Sequence, residues 1–256
     1  MNATTLLDTL RDHAWRTPDR IVFTFVDDDG RDQETMTFDQ IVAHGDAIGA
    51  ALRHQHAAPR RPRCWSTPQS LDFVRAGGLH GCGHVPVPVY PPNPLNPFGR
   101  SVELFAKLAA AQVVRPPCSP TASSIATGRW ARSSTSFARG GPDWPTLPWI
   151  RTDTIKSTGR AAAGTRSALG FDDIAFLQYT SGSTSTPKGV AVNYGNLHHQ
   201  LTCNRLEAGF NDQSRGLWAP QYHDFGLICG LMNGLVGTCL SHHVAAGLHP
   251  AAGRLV

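Results

Sequence analysis

Lysine is almost missing from these 256 residues: only Lys107, Lys156 and Lys188 occur, so the 23 basic side chains are nearly all arginine. Charged residues make up 16 %, below the usual quarter of a globular chain. The net charge of +4 is spread along the chain with no basic run, which argues against a nucleic-acid partner or a charged membrane surface. No CxxC pair occurs among the six widely spaced cysteines, so neither a zinc ribbon nor a redox motif is indicated, and no metal ligands are assigned. The start, MNATTLLDTLRDH, has neither a basic opening nor an apolar block and does not read as a signal peptide. The longest apolar stretch, 226–240, is broken by Asn233 and several glycines. It is too short to span a bilayer and reads as a buried helix. Together these absences predict a cytoplasmic protein with reduced thiols and no membrane span.

What is present is 41 % hydrophobic residues, enough for a core, arranged as strands alternating with helices. Leu6, Leu10 and Ala14 recur every fourth residue and predict a helix over 4–16. Alternation predicts a strand at 21–26 and a second around 34–38, with Asp27-Asp28-Asp29-Gly30 as the turn between them. Thr37 and Gln40 fit the Thr-x-x-Gln capping box of a helix whose inner face carries Phe38, Ile41, Val42, Ile48 and Leu52. The alternating Val and Pro of 85–92 predict an edge strand, because proline donates nothing to a ladder. Further helices are expected over 102–114, 196–206 and 225–240, and strands over 173–179 and 190–192. The alternation predicts an α/β fold with a mostly parallel sheet.

Some stretches resist this reading. Residues 114–142 are rich in Arg, Ser, Thr, Pro and Gly without an apolar period, and 61–67 (RPRCWST) stand where a buried strand is expected. The tail 238–256 is equally anomalous. Surface loops or disorder would account for the first two. Reading frame offers another account: one coding of 62–68, shifted by two bases, gives Pro-Val-Leu-Val-Tyr-Pro. One coding of the tail from His242, shifted by one base, also gives apolar, aromatic text. On that account His242, His243 and His249 are by-products of the frame and not a metal patch with Cys239.

The strongest chemical signal is FLQYTSGSTSTPKG at 176–189. An apolar strand delivers a dense hydroxyl loop that ends in a single lysine. Such a loop offers many N–H and O–H donors to phosphate oxygens. Lys188 adds a compact positive charge, and Gly182 lets the backbone come close. It is not a Walker A loop. Its S-x-x-K at Ser185–Lys188 lacks the S-D-N and K-T-G partners of penicillin-recognising hydrolases.

The loop resembles the phosphate-binding signature of the adenylate-forming superfamily. With VPVPVYPP at 85–92 and PQYHDFGLI at 220–228, the chain is similar to fatty acyl-AMP ligases over most of its length. The resemblance implies the N-terminal portion of the large adenylate-forming domain, with mixed, mostly parallel sheets flanked by helices. It implies a carboxylate and ATP giving an acyl-adenylate and pyrophosphate, with Mg²⁺, then transfer to the thiol of an acyl carrier protein or a polyketide synthase carrier domain. Thr180, Ser181, Gly182, Ser183, Thr184 and Lys188 would hold ATP. Tyr222, His223 and Asp224 would lie at the acyl and adenylate site, with His223 as the catalytic candidate. Ser185 stands where the signature has Gly. The later motifs of the family, including an acidic residue for Mg²⁺, the ribose-binding Asp and the C-terminal lysine, do not occur. The expectation is therefore a partial, incomplete AMP-binding domain over 1–256, without the C-terminal domain and inactive alone. The alternatives are a catalytically silent nucleotide- or acyl-binding module and a gene remnant.

Overall fold

The computed structural model describes residues 5–26, 31–55, 62–65, 74, 84–89, 107, 115–119, 150–151, 155–157, 169–180, 188–211 and 221–237. The expected turn at 27–30, the helix over 102–114 apart from Lys107, the loop 181–187 and the tail 238–256 lie outside them.

Helix α1 (Leu6–Arg16) begins at Thr5, whose hydroxyl accepts from the Asp8 N–H while the Asp8 carboxylate accepts from the Thr5 N–H. Its Leu6, Leu10 and Ala14 are buried, as their spacing requires. Strands β1 (Ile21–Val26) and β2 (Asp32–Thr37) pair antiparallel. Helix α2 (Phe38–Gln55) follows at once. The capping box expected at its start is formed: the Thr37 N–H donates to Gln40 Oε1 at 2.9 Å and the Gln40 N–H to Thr37 Oγ1 at 3.3 Å. All five residues assigned to its inner face are buried. Arg11 of α1 grips Asp46 of α2 through both terminal guanidinium nitrogens, at 2.5 and 3.2 Å.

A four-stranded sheet has the order β4-β3-β5-β6, with β3 (Pro62–Trp65), β4 (Val85–Pro88), β5 (Arg115–Ser119) and β6 (Ile150–Arg151) all parallel. The Val-Pro strand β4 lies at an edge of this sheet, as its prolines demand. Two strands form where the sequence shows no strand pattern. Residues 62–65 and 115–119 carry none of the β-branched runs of a central parallel strand, yet both lie inside the sheet. Backbone pairing needs no particular side chain, and the apolar neighbour β4 supplies a template for β3. Pro62 is tolerable as the first residue of its strand. Pro116 and Pro117 remove two donors from β5.

The hairpin of β7 (Ile174–Thr180) and β8 (Lys188–Asn193) is antiparallel. Helix α3 (Tyr194–Leu206) starts two residues before its expected position. The reason is a second capping box: the Asn196 N–H donates to Asn193 Oδ1 at 2.7 Å, and Asn196 returns the bond at 3.2 Å. The expected helix over 225–240 is a π-helix, Gly226–Met232, passing into a short α4 (Asn233–Leu235). One apolar core joins α1, β1, β2, α2, β7, α3 and these last turns. Phe23, Phe38, Phe176 and Tyr194 are its largest fully buried side chains. Among the described residues no helix is long and apolar enough to cross a membrane.

Candidate functional site

The hairpin fixes where the hydroxyl loop leaves and returns. Thr180, the last residue of β7, is paired with Lys188, the first of β8. The seven residues between them therefore start and finish at neighbouring points of one ladder. Ser181, Gly182, Ser183 and Thr184 belong to this connection and lie outside the described residues. Just behind the loop, Tyr179 faces Gly189 across the strands. A Cβ on Gly189 would stand 2.9 Å from Tyr179 Cζ and 3.2 Å from its hydroxyl oxygen, so the ring packs closely on the β8 backbone beside Lys188. Residues 188–191 of β8 are exposed, and Lys188 is open to solvent.

The Tyr-His-Asp segment is tied to the same strand. Gln178 Nε2, three residues before the loop begins at Ser181, donates to the Tyr222 carbonyl at 3.4 Å. Tyr222 packs its ring on the core, which leaves His223 and Asp224 as the exposed residues of the segment. His223 Nδ1 lies 2.6 Å from Asp224 Oδ1. The Phe225 N–H donates to Asp224 Oδ1 at 2.7 Å and to His223 Nδ1 at 3.3 Å. Nε2 is then the imidazole nitrogen left to meet a ligand.

Three buried polar atoms nearby make no hydrogen bond: Gln178 Oε1 and both the oxygen and nitrogen of the Gln221 carboxamide. Leaving such buried atoms unpaired costs about 1–3 kcal/mol each. Gln178 and Gln221 were not among the sequence candidates. The only trace of them is their position beside Tyr179 and Tyr222. Behind the segment, burial pushes the Cys229 thiol up, the Asn204 amide opposes this, and the Asp224 carboxylate adds to it.

The structure thus gathers Thr180 and Lys188 at the mouth of the loop and hangs Tyr222, His223 and Asp224 from the strand that feeds it. Among the described residues no group of three His, Cys, Asp or Glu side chains stands close enough to hold a metal ion.

The sequence of the AMP-binding enzyme family matches over residues 10–246. The chain is 30 % identical over 238 residues to JamA of Moorena producens, a medium-chain-fatty-acid–[acyl-carrier-protein] ligase, covering 90 % of this chain and 38 % of that protein. It is 34 % identical over 249 residues to FadD30 of Mycobacterium tuberculosis, described as a "probable long-chain-fatty-acid–AMP ligase", covering 91 % and 40 %. A fatty acyl-adenylate ligase from L. pneumophila, solved with acyl adenylate and pyrophosphate, superposes with a TM-score of 0.76 at 26 % identity over 95 % of this chain and 40 % of that one. The chain spans about 40 % of the length of these relatives.

Proposed function

The chain belongs to the AMP-binding enzyme family, and from that premise we propose that it carries the triphosphate- and acyl-binding part of a ligase that activates fatty acids as acyl-adenylates. In the reaction a carboxylate oxygen attacks the α-phosphorus of ATP, the bond to the β-phosphate oxygen breaks, and pyrophosphate leaves. Thr180, Ser181, Gly182, Ser183, Thr184 and Lys188 bind the leaving phosphates. N–H and O–H donors together with one ammonium would offset the charge that builds there. Tyr222, His223 and Asp224 line the acyl and adenylate end, with His223 Nε2 in contact with the reacting groups. Mg²⁺ would accompany the triphosphate and share the charge of its phosphates. The acyl group then passes to a carrier-protein thiol, as the description of JamA suggests. The cytoplasm, with its ATP, is the matching compartment.

One observation carries the reading. The register pairing Thr180 with Lys188 and the Gln178–Tyr222 bond bring the two motifs to one strand end. Titration calorimetry with ATP and magnesium tests it. Binding should be measurable and should weaken at least tenfold in Lys188→Ala. Equal affinity in both chains would sink the reading. These 256 residues should release no pyrophosphate from ATP and a long-chain fatty acid, and steady turnover would refute that part.

The anomalous composition of 61–67, 114–142 and 238–256 supports a second, separate reading, that these segments are translated out of frame. The strands β3 and β5 fall within the first two. The gene sequence decides it, and codons that do not yield apolar strands in a shifted frame would end the idea.

A further inference from the structure

We propose that Asn233 is a positioning residue: its buried carboxamide holds the helix behind Tyr222 in π register and so sets the direction in which His223 and Asp224 face. The proposal rests on the reading of those two residues as contacts to the acyl-adenylate.

A π-helix of seven residues is unusual, and such turns concentrate at functional sites. Here the widened ladder must return to α spacing at α4, and the carbonyls at that junction are the ones in need of donors. Asn233 stands there. It is fully buried, and its Nδ2 donates to the carbonyls of Ile228 at 3.2 Å and Cys229 at 2.9 Å, five and four residues back. One side chain therefore spans both the π and the α spacing. Without it, the cheapest way to serve these buried carbonyls is to close the ladder to α throughout.

That closure has a geometric consequence. Removing one residue's worth of slack turns everything on its N-terminal side by about 100° relative to the buried face. The downstream end cannot absorb the turn. Gly234 is pressed against the Phe23 ring, and the Val236 carbonyl meets His13 Nε2 at 3.1 Å. Upstream, the Tyr222 carbonyl is held by Gln178. The His223 carbonyl accepts from the Leu227 N–H at 2.8 Å, so His223 turns with the helix. The rotation falls on His223 and Asp224, between two fixed points.

A pair of variants with the same shape separates hydrogen bonding from packing. Threonine at a helical position can bond the carbonyl four residues back, whereas valine cannot. Solution NMR of the full chain, comparing Asn233→Thr with Asn233→Val, reads the sequential contacts through 226–232 and the Phe225 amide, which lies 2.7 Å from Asp224 Oδ1. The threonine variant should keep the contacts five residues apart and the native Phe225 resonance. The valine variant should show contacts four residues apart and a displaced Phe225 resonance. Its affinity for a hydrolysis-resistant acyl-adenylate analogue should fall at least tenfold, with the threonine variant near wild type. Should the valine variant not fold, Asn233→Leu takes its place. Identical behaviour of the donor-bearing and donor-free variants in the NMR measurement would overturn the proposal. A wild-type chain that ignores the analogue would overturn the functional reading instead, and the NMR comparison would still decide the role of Asn233.

Discussion

Adding one methyl group at Gly234 should destabilise the protein, although the same change in an exposed helix stabilises. An ideal Cβ at Gly234 would lie 2.6 Å from Phe23 Cζ and 2.7 Å from Cε1. Carbon atoms in good contact sit about 3.5–4.0 Å apart, so ring and helix must separate by about 1 Å. Phe23 has no exposed surface and its backbone is paired in β1, so it has nowhere to go. Overpacking of this kind costs about 1–3 kcal/mol. Alanine returns at most about 1 kcal/mol of helix propensity over glycine. The approach to 2.6 Å of a ring with no room to move puts the clash at the upper end of that range, so it wins, with a net loss of about 1–2 kcal/mol. For a chain of this size that lowers Tm by about 2–8 °C. Thermal unfolding followed by circular dichroism measures the shift. The control is Phe23→Leu, which removes the ring edge. In that background the added methyl group should cost nothing or help, a coupling of about 1 kcal/mol or more. An equal loss in both backgrounds, or a Gly234→Ala chain more stable than wild type, would refute the reasoning.

Other perturbations follow from the same contacts. Thr37→Ala breaks the capping box of α2 and should cost about 1 kcal/mol in urea unfolding. Asp46→Asn loses the two-pronged grip of Arg11. Both side chains are about a quarter exposed, so the loss should be about 0.5–1 kcal/mol and should shrink in 1 M salt. The Cys229 thiol is held above its ordinary value of 9.0, so the folded chain keeps a proton that the unfolded chain releases. Its contribution is therefore full below pH 9.0 and is lost as pH climbs from there through the higher folded value. Cys229→Ala should flatten the fall in urea-unfolding free energy at alkaline pH, and an unchanged slope would count against the assignment.

Much of the fold was written in local patterns. The four-residue rhythm of Leu6, Leu10 and Ala14 and the Thr37–Gln40 box need only neighbours in sequence to act, and both appear as read. The hairpin strands around the hydroxyl loop were legible for the same reason. Strands β3 and β5 were not, because their place in the sheet comes from partners decades of residues away while their own side chains argue against it. The π register was equally hidden: the apolar residues of 226–235 suit a helix of either width. What selects the wider one is a hydrogen bond from Asn233 to carbonyls four and five residues back. At the site, hydroxyls and lysine announced the loop through composition and order. Gln178, which ties the Tyr222 carbonyl, and the buried Gln221 carried no such mark, since glutamine is common and its burial is a property of the fold.

The contact between His13 and the Val236 carbonyl joins residues 223 positions apart. On the ribosome, α1 and β1 emerge first, yet the side of the core that Gly234 and Leu235 cover stays open until almost the whole described chain has been made. Phe23 and its neighbours must wait with apolar surface uncovered throughout synthesis, a condition that invites aggregation or chaperone capture. The N-terminal helices and strands are therefore no independent module. A nascent chain stalled before residue 233 should be held by chaperones or cleared.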